Sequence, residues 1–283
     1  MITFFQAIII GLLQGVTELF PVSSLGHSVL LPALLGWHNI VTSESASESS
    51  YLAFVVGLHC ATAIALLIFY RKTWAKIIKG LFESINRRKV EGPTERLAWL
   101  LVVATIPAGL VGLVFEHKLR TQFAKPLSAA IFLTINGLIL LTGEYFRRKA
   151  EHRKASRSLD KLDYKVAGVI GVAQVLALLA GISRSGITMT AGLVRGLSRE
   201  DAANFSFLLA TPIILAAGIY KLPDLLGPNG NGIRGQVLVG SLAAGLAAYF
   251  SVRFLTKYFQ SKTLTPFAIY CLVAGGLMII HFA

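Results

Sequence analysis

The chain has 283 residues, of which 54% are hydrophobic and only 14% charged, against about 25% charged in an ordinary soluble domain. Such a composition excludes intrinsic disorder, which needs low hydrophobicity, and argues against a soluble enzyme. The net charge of +13 suggests nucleic acid until its distribution is inspected: eight Lys/Arg fall in 71–96 and eight in 147–165. Both runs lie between apolar stretches and carry no nucleic-acid motif, so no nucleic-acid partner is expected.

In chain order, the first 36 residues form two apolar segments too short to cross about 30 Å of hydrocarbon comfortably. They are separated at Pro21, which lacks a backbone donor and disfavours helix at Phe20. Ser23 and Ser24 then offer N-caps for the second segment. Three stretches near 52–70, 97–115 and 127–146 follow, each about as long as a transmembrane helix requires. Cys60 and Cys271 both fall inside apolar runs and read as small core residues, not as a disulfide framework.

The pattern then recurs. Residues 11–36 and 171–196 align without a gap at an offset of 160, matching Gly11 with Gly171, Gln14 with Gln174, Leu19 with Leu179, Ser23 with Ser183, Gly26 with Gly186 and Gly36 with Gly196. Six identities are few in an apolar, Gly-rich chain, but the matched serines and glycines sit at the same break. Ser183 and Ser185 supply the caps in the second copy, and spans near 202–220, 236–254 and 264–282 follow.

Each short pair reads as a re-entrant helix–loop–helix, whose irregular tip must be buried in protein or line a wet cavity. Three spans per unit is an odd number, so the second unit enters from the opposite side. The expected fold is an all-α integral membrane protein: six transmembrane helices plus two re-entrant hairpins in an inverted-topology repeat. Its halves are 1–150 and 160–283, forming one membrane domain.

Charge assigns the sides. The segments on the N-terminal side, 37–50, 116–126 and 221–235, hold zero, three and two Lys/Arg. Those on the other side hold eight, eight, two (195–200) and three (253–263), and this side is expected to be cytoplasmic. Both termini should then face outward, and no n-region charge marks a cleaved signal peptide.

One basic residue falls outside these loops: Arg184, at the second break. Glu18, just before the first break, is its acidic counterpart. Charge at membrane depth is expensive and marks function by default. The plain structural alternative is a buried pair that ties the two units together, although buried pairs stabilise poorly. Inversion brings Gln14, Glu18, Ser23, Ser24 and His27 against Ser183, Arg184, Ser185, Gly186 and Thr188. Arginine presents a planar fork for phosphate oxygens, free amides at a helix start add an anion site, and a hydroxyl beside an imidazole can act as a nucleophile. Glu18 could hold a divalent cation with substrate phosphate. Together these point to phosphoryl chemistry on an amphiphile. His59 reads as a packed helix residue that lines the cavity at most, Glu144 as a snorkelling span-end residue, and His38, His117, His152 and His281 receive no role.

The segment Gln14-Gly-Val-Thr-Glu18-Leu-Phe-Pro21-Val-Ser23-Ser24-Leu-Gly26-His27 resembles the first signature of bacterial undecaprenyl-diphosphate phosphatases, the bacitracin-resistance family. Gly181-Ile-Ser183-Arg184-Ser185-Gly186-Ile-Thr188 resembles the second, with Ala180 where Pro is usual, and Gln14 stands where many members have Glu. The resemblance implies hydrolysis of undecaprenyl diphosphate to undecaprenyl phosphate and inorganic phosphate in the bacterial cytoplasmic membrane, recycling the carrier for peptidoglycan synthesis. It implies a divalent cation, Mg²⁺ or Ca²⁺, and a site open to the outer face. Carried over residue by residue, Glu18 would serve metal or base work, Ser24 would be the nucleophile with His27 as acid/base partner, and Arg184 would bind the diphosphate. Ser183 and Thr188 would bond phosphate oxygens, with Ser185, Gly186, Ser23 and Gln14 completing the substrate site. A phosphohistidine at His27 is the alternative to Ser24. The expected partners are the polyprenyl diphosphate and membrane lipids, with a homodimer as a candidate assembly. A lipid-phosphate transporter or flippase on the same repeat is the competing class.

Overall fold

The computed structural model describes residues 2–37, 40, 50–123, 125–152, 158–159, 162–227 and 231–283; the side chains of 116–123, 152 and 224 are outside the description. Most of the expected outer loop 37–50, much of the link between the halves, His38 and the side chains of His117 and His152 therefore lie outside the described residues.

Among the described residues the chain is all-helical. Its α-helices are α1 (Phe4–Thr17), α2 (Ser24–Leu34), α3 (Ser50–Phe69), α4 (Arg71–Arg87), α5 (Pro93–Phe123) and α6 (Pro126–His152), then α7 (Tyr164–Gln174), α8 (Arg184–Val194), α9 (Arg199–Leu226), α10 (Arg234–Tyr258) and α11 (Thr265–Phe282). Six of them, α3, α5, α6, α9, α10 and α11, contain a stretch long and apolar enough to cross a membrane, matching the six stretches expected from sequence. Large apolar side chains face outward along them, Ile219 at 71% and Ile280 at 79% exposure among them, as lipid-facing surfaces require.

The short helices start where side-chain oxygens cap them. Thr3 and Gln6 form a capping box before α1, Asp163 caps α7 and Ser198 caps α9, each satisfying amides that a helix start leaves open. The second short pair repeats the first in register: α1 begins at Phe4 and α7 at Tyr164, while α2 and α8 are both 11 residues long, beginning at Ser24 and Arg184. The breaks differ in detail. Between α1 and α2 the chain turns through Glu18, whose amide still bonds the Gln14 carbonyl, and Pro21. After α7 a 3₁₀ turn over Val175–Leu178 leads to Gly181 at φ 111°, a conformation that only glycine adopts without strain.

The halves pack crosswise. In the first half α1 lies on α10, with Gly11 against the Gly240 backbone and Gly15 against Ala244; in the second half α7 lies on α5, with Gly171 against the Ala104 backbone. α6 pairs with α11 and α3 with α9. Small residues at these crossings let helix backbones approach closely where no water drives association. The largest buried cluster accordingly mixes both halves, from Leu19 and Leu133 to Phe207 and Cys271.

Two readings of the charged segments change. The stretch 71–96, expected as a basic loop, contains α4, whose Ile77, Gly80 and Ser84 form its buried face. Its charges and apolar residues alternate at helical spacing, a signal that counting charge alone passes over. Glu144 does not snorkel. It is 3% exposed and is held by Arg199 and Arg148, because those guanidiniums reach inward to it.

Candidate active site

Glu18 ends α1, and the turn after it brings Ser24, at the start of α2, back to its carboxylate. Ser24 Oγ donates to Oε2 at 2.5 Å and Gln14 Nε2 donates to the same oxygen at 3.0 Å, one turn back on the same helix face. His59 Nε2, from α3, lies 3.4 Å from Oε2. The other oxygen, Oε1, accepts from Arg184 Nη2 at 2.7 Å. Glu18 is 7% exposed, so a buried carboxylate is met by a guanidinium, a hydroxyl and an amide, as burial of charge demands. Arg184 also donates through Nη1 to the Ser206 carbonyl at 3.2 Å, which fixes the plane of the fork.

The two breaks are joined directly. Ser23 Oγ accepts the Gly26 amide at 3.1 Å as the cap of α2, and also accepts the Gly181 amide at 3.2 Å. Ser183 Oγ repeats the cap on α8, accepting the Gly186 amide at 3.1 Å. A Cβ on Gly26 would press on the Gly181 backbone, and one on Gly181 on the backbone of Ala129 and Leu133. These glycines are what allow the breaks to touch. Ser23 itself is held at φ 71°, ψ 100°, a left-handed-side conformation costly for a residue with a Cβ.

Asn136 of α6 is fully buried between the breaks. Its Oδ1 accepts the Ser183 amide at 2.9 Å and its Nδ2 donates to the Pro21 carbonyl at 2.9 Å, so one amide side chain satisfies a backbone group from each half. Ser185 Oγ donates to the Phe20 carbonyl at 3.2 Å and lies 3.0 Å from Ser183 Oγ.

His27 has both ring nitrogens engaged. Nδ1 is 2.7 Å from the Ser23 carbonyl, which can only accept, so Nδ1 carries a proton; in the neutral ring Nε2 accepts from Tyr270 Oη at 2.7 Å. Ser24 and His27 are not paired with each other. The hydroxyl reaches Glu18, and the imidazole turns to α11, where it stacks on Tyr270.

The structure therefore gathers Gln14, Glu18, Ser24, His59 and Arg184 around one carboxylate, with Ser23, Ser183, Ser185 and Gly186 as a buried scaffold behind them. Thr188 lies 2.8 Å from both the Arg184 carbonyl and Ser206 Oγ and is 2% exposed, so it too is engaged within the protein. Sequence reasoning missed Asn136, Tyr270 and Ser206 as neighbours of the site; each lies in an ordinary span, and only the packing of α6, α9 and α11 brings it in. For His59 the signal was present, since an imidazole in a 20-residue apolar helix is itself unusual.

Among the described residues no group of three His, Cys, Asp or Glu gathers to hold a metal. Oε2 of Glu18 is nevertheless ringed by the hydroxyl of Ser24, the amide of Gln14 and the imidazole of His59. A hard cation takes oxygen ligands, and of this set Glu18 and, with its amide turned, Gln14 could supply them, with substrate phosphate and water completing the shell.

The model of the family described as bacitracin resistance protein BacA matches residues 7–277. Undecaprenyl-diphosphatase 2 of Frankia alni is 53% identical, with 100% of this chain and 98% of that protein covered. The undecaprenyl-diphosphatase of Mycolicibacterium paratuberculosis is 55% identical over the same shares, and undecaprenyl-diphosphatase 2 of Chromobacterium violaceum is 44% identical over 95% of each.

Proposed function

The chain belongs to the bacitracin resistance protein BacA family, and from that premise we propose that it hydrolyses undecaprenyl diphosphate to undecaprenyl phosphate and inorganic phosphate at the Glu18 site. The observation that carries this reading is the contact between Glu18 and Arg184 at 2.7 Å, a carboxylate and a guanidinium brought together from the two breaks. Relatives with full-length similarity bear the name of that hydrolase.

The enzyme is a multi-pass membrane protein with α1–α2 and α7–α8 as re-entrant hairpins of an inverted repeat, its halves 1–150 and 160–283 forming one membrane domain. The crosswise packing of α1 on α10 and α7 on α5 supports this, as do the matched Ser–Gly caps at offset 160. It sits in the bacterial inner membrane with its Lys/Arg-rich side cytoplasmic, so the site and both termini face outward. A homodimer is a further proposal, resting on the resemblance alone.

In the mechanism, the prenyl tail remains in lipid or between spans while the diphosphate enters beside Arg184. The guanidinium turns its fork from Glu18 to the phosphate oxygens and holds them, an electrostatic role that dominates such transfers. Ser24 Oγ attacks the terminal phosphorus, the bond to the bridging oxygen breaks, and undecaprenyl phosphate leaves with that bond's electron pair. The Ser24 proton passes to Glu18 Oε2, to which it already points at 2.5 Å. Water then attacks the phosphoserine phosphorus as its bond to Ser24 Oγ breaks; Glu18 returns its proton to Ser24 Oγ, Nε2 of His27 takes the water proton, and inorganic phosphate departs. Ser183, Ser185, Gly186, Ser23 and Thr188 hold the two breaks in the geometry that receives the phosphate. A bound Mg²⁺ or Ca²⁺, held by Glu18 with Gln14 and His59 beside it, would neutralise phosphoryl charge.

Phosphate release from undecaprenyl diphosphate by the full-length protein in detergent tests the reading, because detergent offers no second compartment for transport. Release supports a hydrolase. A well-folded protein that binds the lipid and releases nothing would overturn it in favour of the transporter class, which no relative's name supports.

A further inference from the structure

α6 and α8 run side by side away from the site, from Asn136 and Ser183 through Gly143 and Thr190. Eleven residues beyond Asn136, about 16 Å along the helix, a second ionic cluster closes the far end. Arg199 donates to both oxygens of Glu144, at 2.5 and 3.1 Å, and to Glu151 at 2.6 Å. Arg148 shares Glu144 at 3.2 Å, and Arg147 shares Glu151 at 3.2 Å. Three guanidiniums thus divide two carboxylates. The neighbouring Glu200 is exposed and reaches Gln260 instead, at 3.4 Å.

Arg148 and Glu151 lie towards the surface, whereas Arg147 does not. Arg147 is 8% exposed, and its Nε and Nη1 are shielded from solvent with no hydrogen-bond partner among the described residues. A buried guanidinium with two unpartnered nitrogens is costly unless an anion completes it. The adjoining segment 147–165 adds further Lys and Arg, whose field favours anions at this end.

We propose that Arg147, with Arg148 and Arg199, forms a second anion site that takes a phosphate ester group, separate from the Glu18 site. Guanidinium N–H groups match phosphate oxygens in charge and direction. Its position at the end of a span, on the Lys/Arg-rich side, makes the head group of an anionic phospholipid the nearest source, and free phosphate carries the same chemistry.

The full-length protein, purified in neutral detergent, is titrated with phosphatidylglycerol and with phosphatidylcholine, following lipid retention by native mass spectrometry and the thermal midpoint. Wild type is expected to retain phosphatidylglycerol selectively. Arg147→Gln is expected to weaken retention roughly ten-fold, the worth of one or two charge-assisted hydrogen bonds. Glu151→Gln removes a competing carboxylate and is expected to tighten retention several-fold, so the proposal stays testable if Arg147→Gln does not fold. Displacement of the lipid by millimolar inorganic phosphate would support the site with free phosphate as a second occupant; retention unaffected by phosphate would support it with the lipid as the occupant. Equal retention by wild type and a folded Arg147→Gln, or retention unchanged or weaker in Glu151→Gln, would overturn it.

Discussion

Glu18 and Arg184, 166 residues apart in sequence, meet at 2.7 Å with side-chain exposures of 6% and 12%. Neither half can bury its own charge; each break supplies the other's counterion. Pairing of this kind is a weak source of stability, but breaking it leaves an uncompensated buried charge, at a cost of about 3–5 kcal/mol. Glu18→Gln or Arg184→Met alone should therefore lower the thermal midpoint more than the double variant does, while all three lose activity. Thermal unfolding of the three proteins in one detergent checks this. Additive destabilisation would contradict it.

Asn136 makes the second join. Asn136→Leu keeps the volume but strands the Ser183 amide and the Pro21 carbonyl, each at about 1–3 kcal/mol. The expected result is a folded protein with a lower midpoint and a reduced kcat, since the two breaks lose their common anchor.

Much of this arrangement was legible in the sequence. The six spans, the first break and the exceptional status of Glu18 and Arg184 follow from hydropathy, proline and charge, and the second break from the serines and glycines matched at offset 160, because a bilayer permits few alternatives. Asn136 and Tyr270 were not legible: each is a single polar residue in a span, and its partners are fixed by which spans pair. α4 was obscured for another reason, since its basic residues read equally well as a loop until their helical spacing is considered. Ser24 was found, but its partner is Glu18, because the turn after α1 folds the hydroxyl back onto that carboxylate while α11 draws His27 away.

Ser23 separates capping from strain. Ser23→Ala loses the bonds to the Gly26 and Gly181 amides and keeps the φ of 71°, so destabilisation of about 1–2 kcal/mol is expected. Ser23→Gly loses the same hydroxyl but relieves the backbone, and should be the milder change by about 1 kcal/mol. Equal midpoints for the two variants would show that the backbone is not strained there.

Gln14 tunes the charge of the site. Gln14→Glu sets a second carboxylate beside Glu18, where an amide now donates at 3.0 Å. Without a cation the pair repels and the midpoint should fall; with Mg²⁺ or Ca²⁺ the midpoint should recover, and the cation concentration giving half-maximal stabilisation should lie below that of wild type. A variant whose midpoint ignores added cation would remove Glu18 from the proposed metal role.

His27 is held in one tautomer by the Ser23 carbonyl, which leaves Nε2 as the nitrogen able to accept a proton. Tyr270→Phe removes only the hydroxyl donated to it. A less than ten-fold change in kcat is expected for Tyr270→Phe, against a loss of about 10²–10⁴ for His27→Gln, the range of a general acid or base. Comparable losses in the two would instead assign Tyr270 a direct part in proton transfer.

The central claim, that the carboxylate shared by Ser24 and Arg184 is where phosphate is cleaved, is tested most directly by inorganic phosphate release from undecaprenyl diphosphate with Glu18→Gln beside wild type. Both are matched for folding by thermal midpoint and assayed with Mg²⁺ and with chelator. The account predicts release by wild type that chelator abolishes, and a fall of about 10³ or more in Glu18→Gln. Near-wild-type release by a folded Glu18→Gln would contradict it.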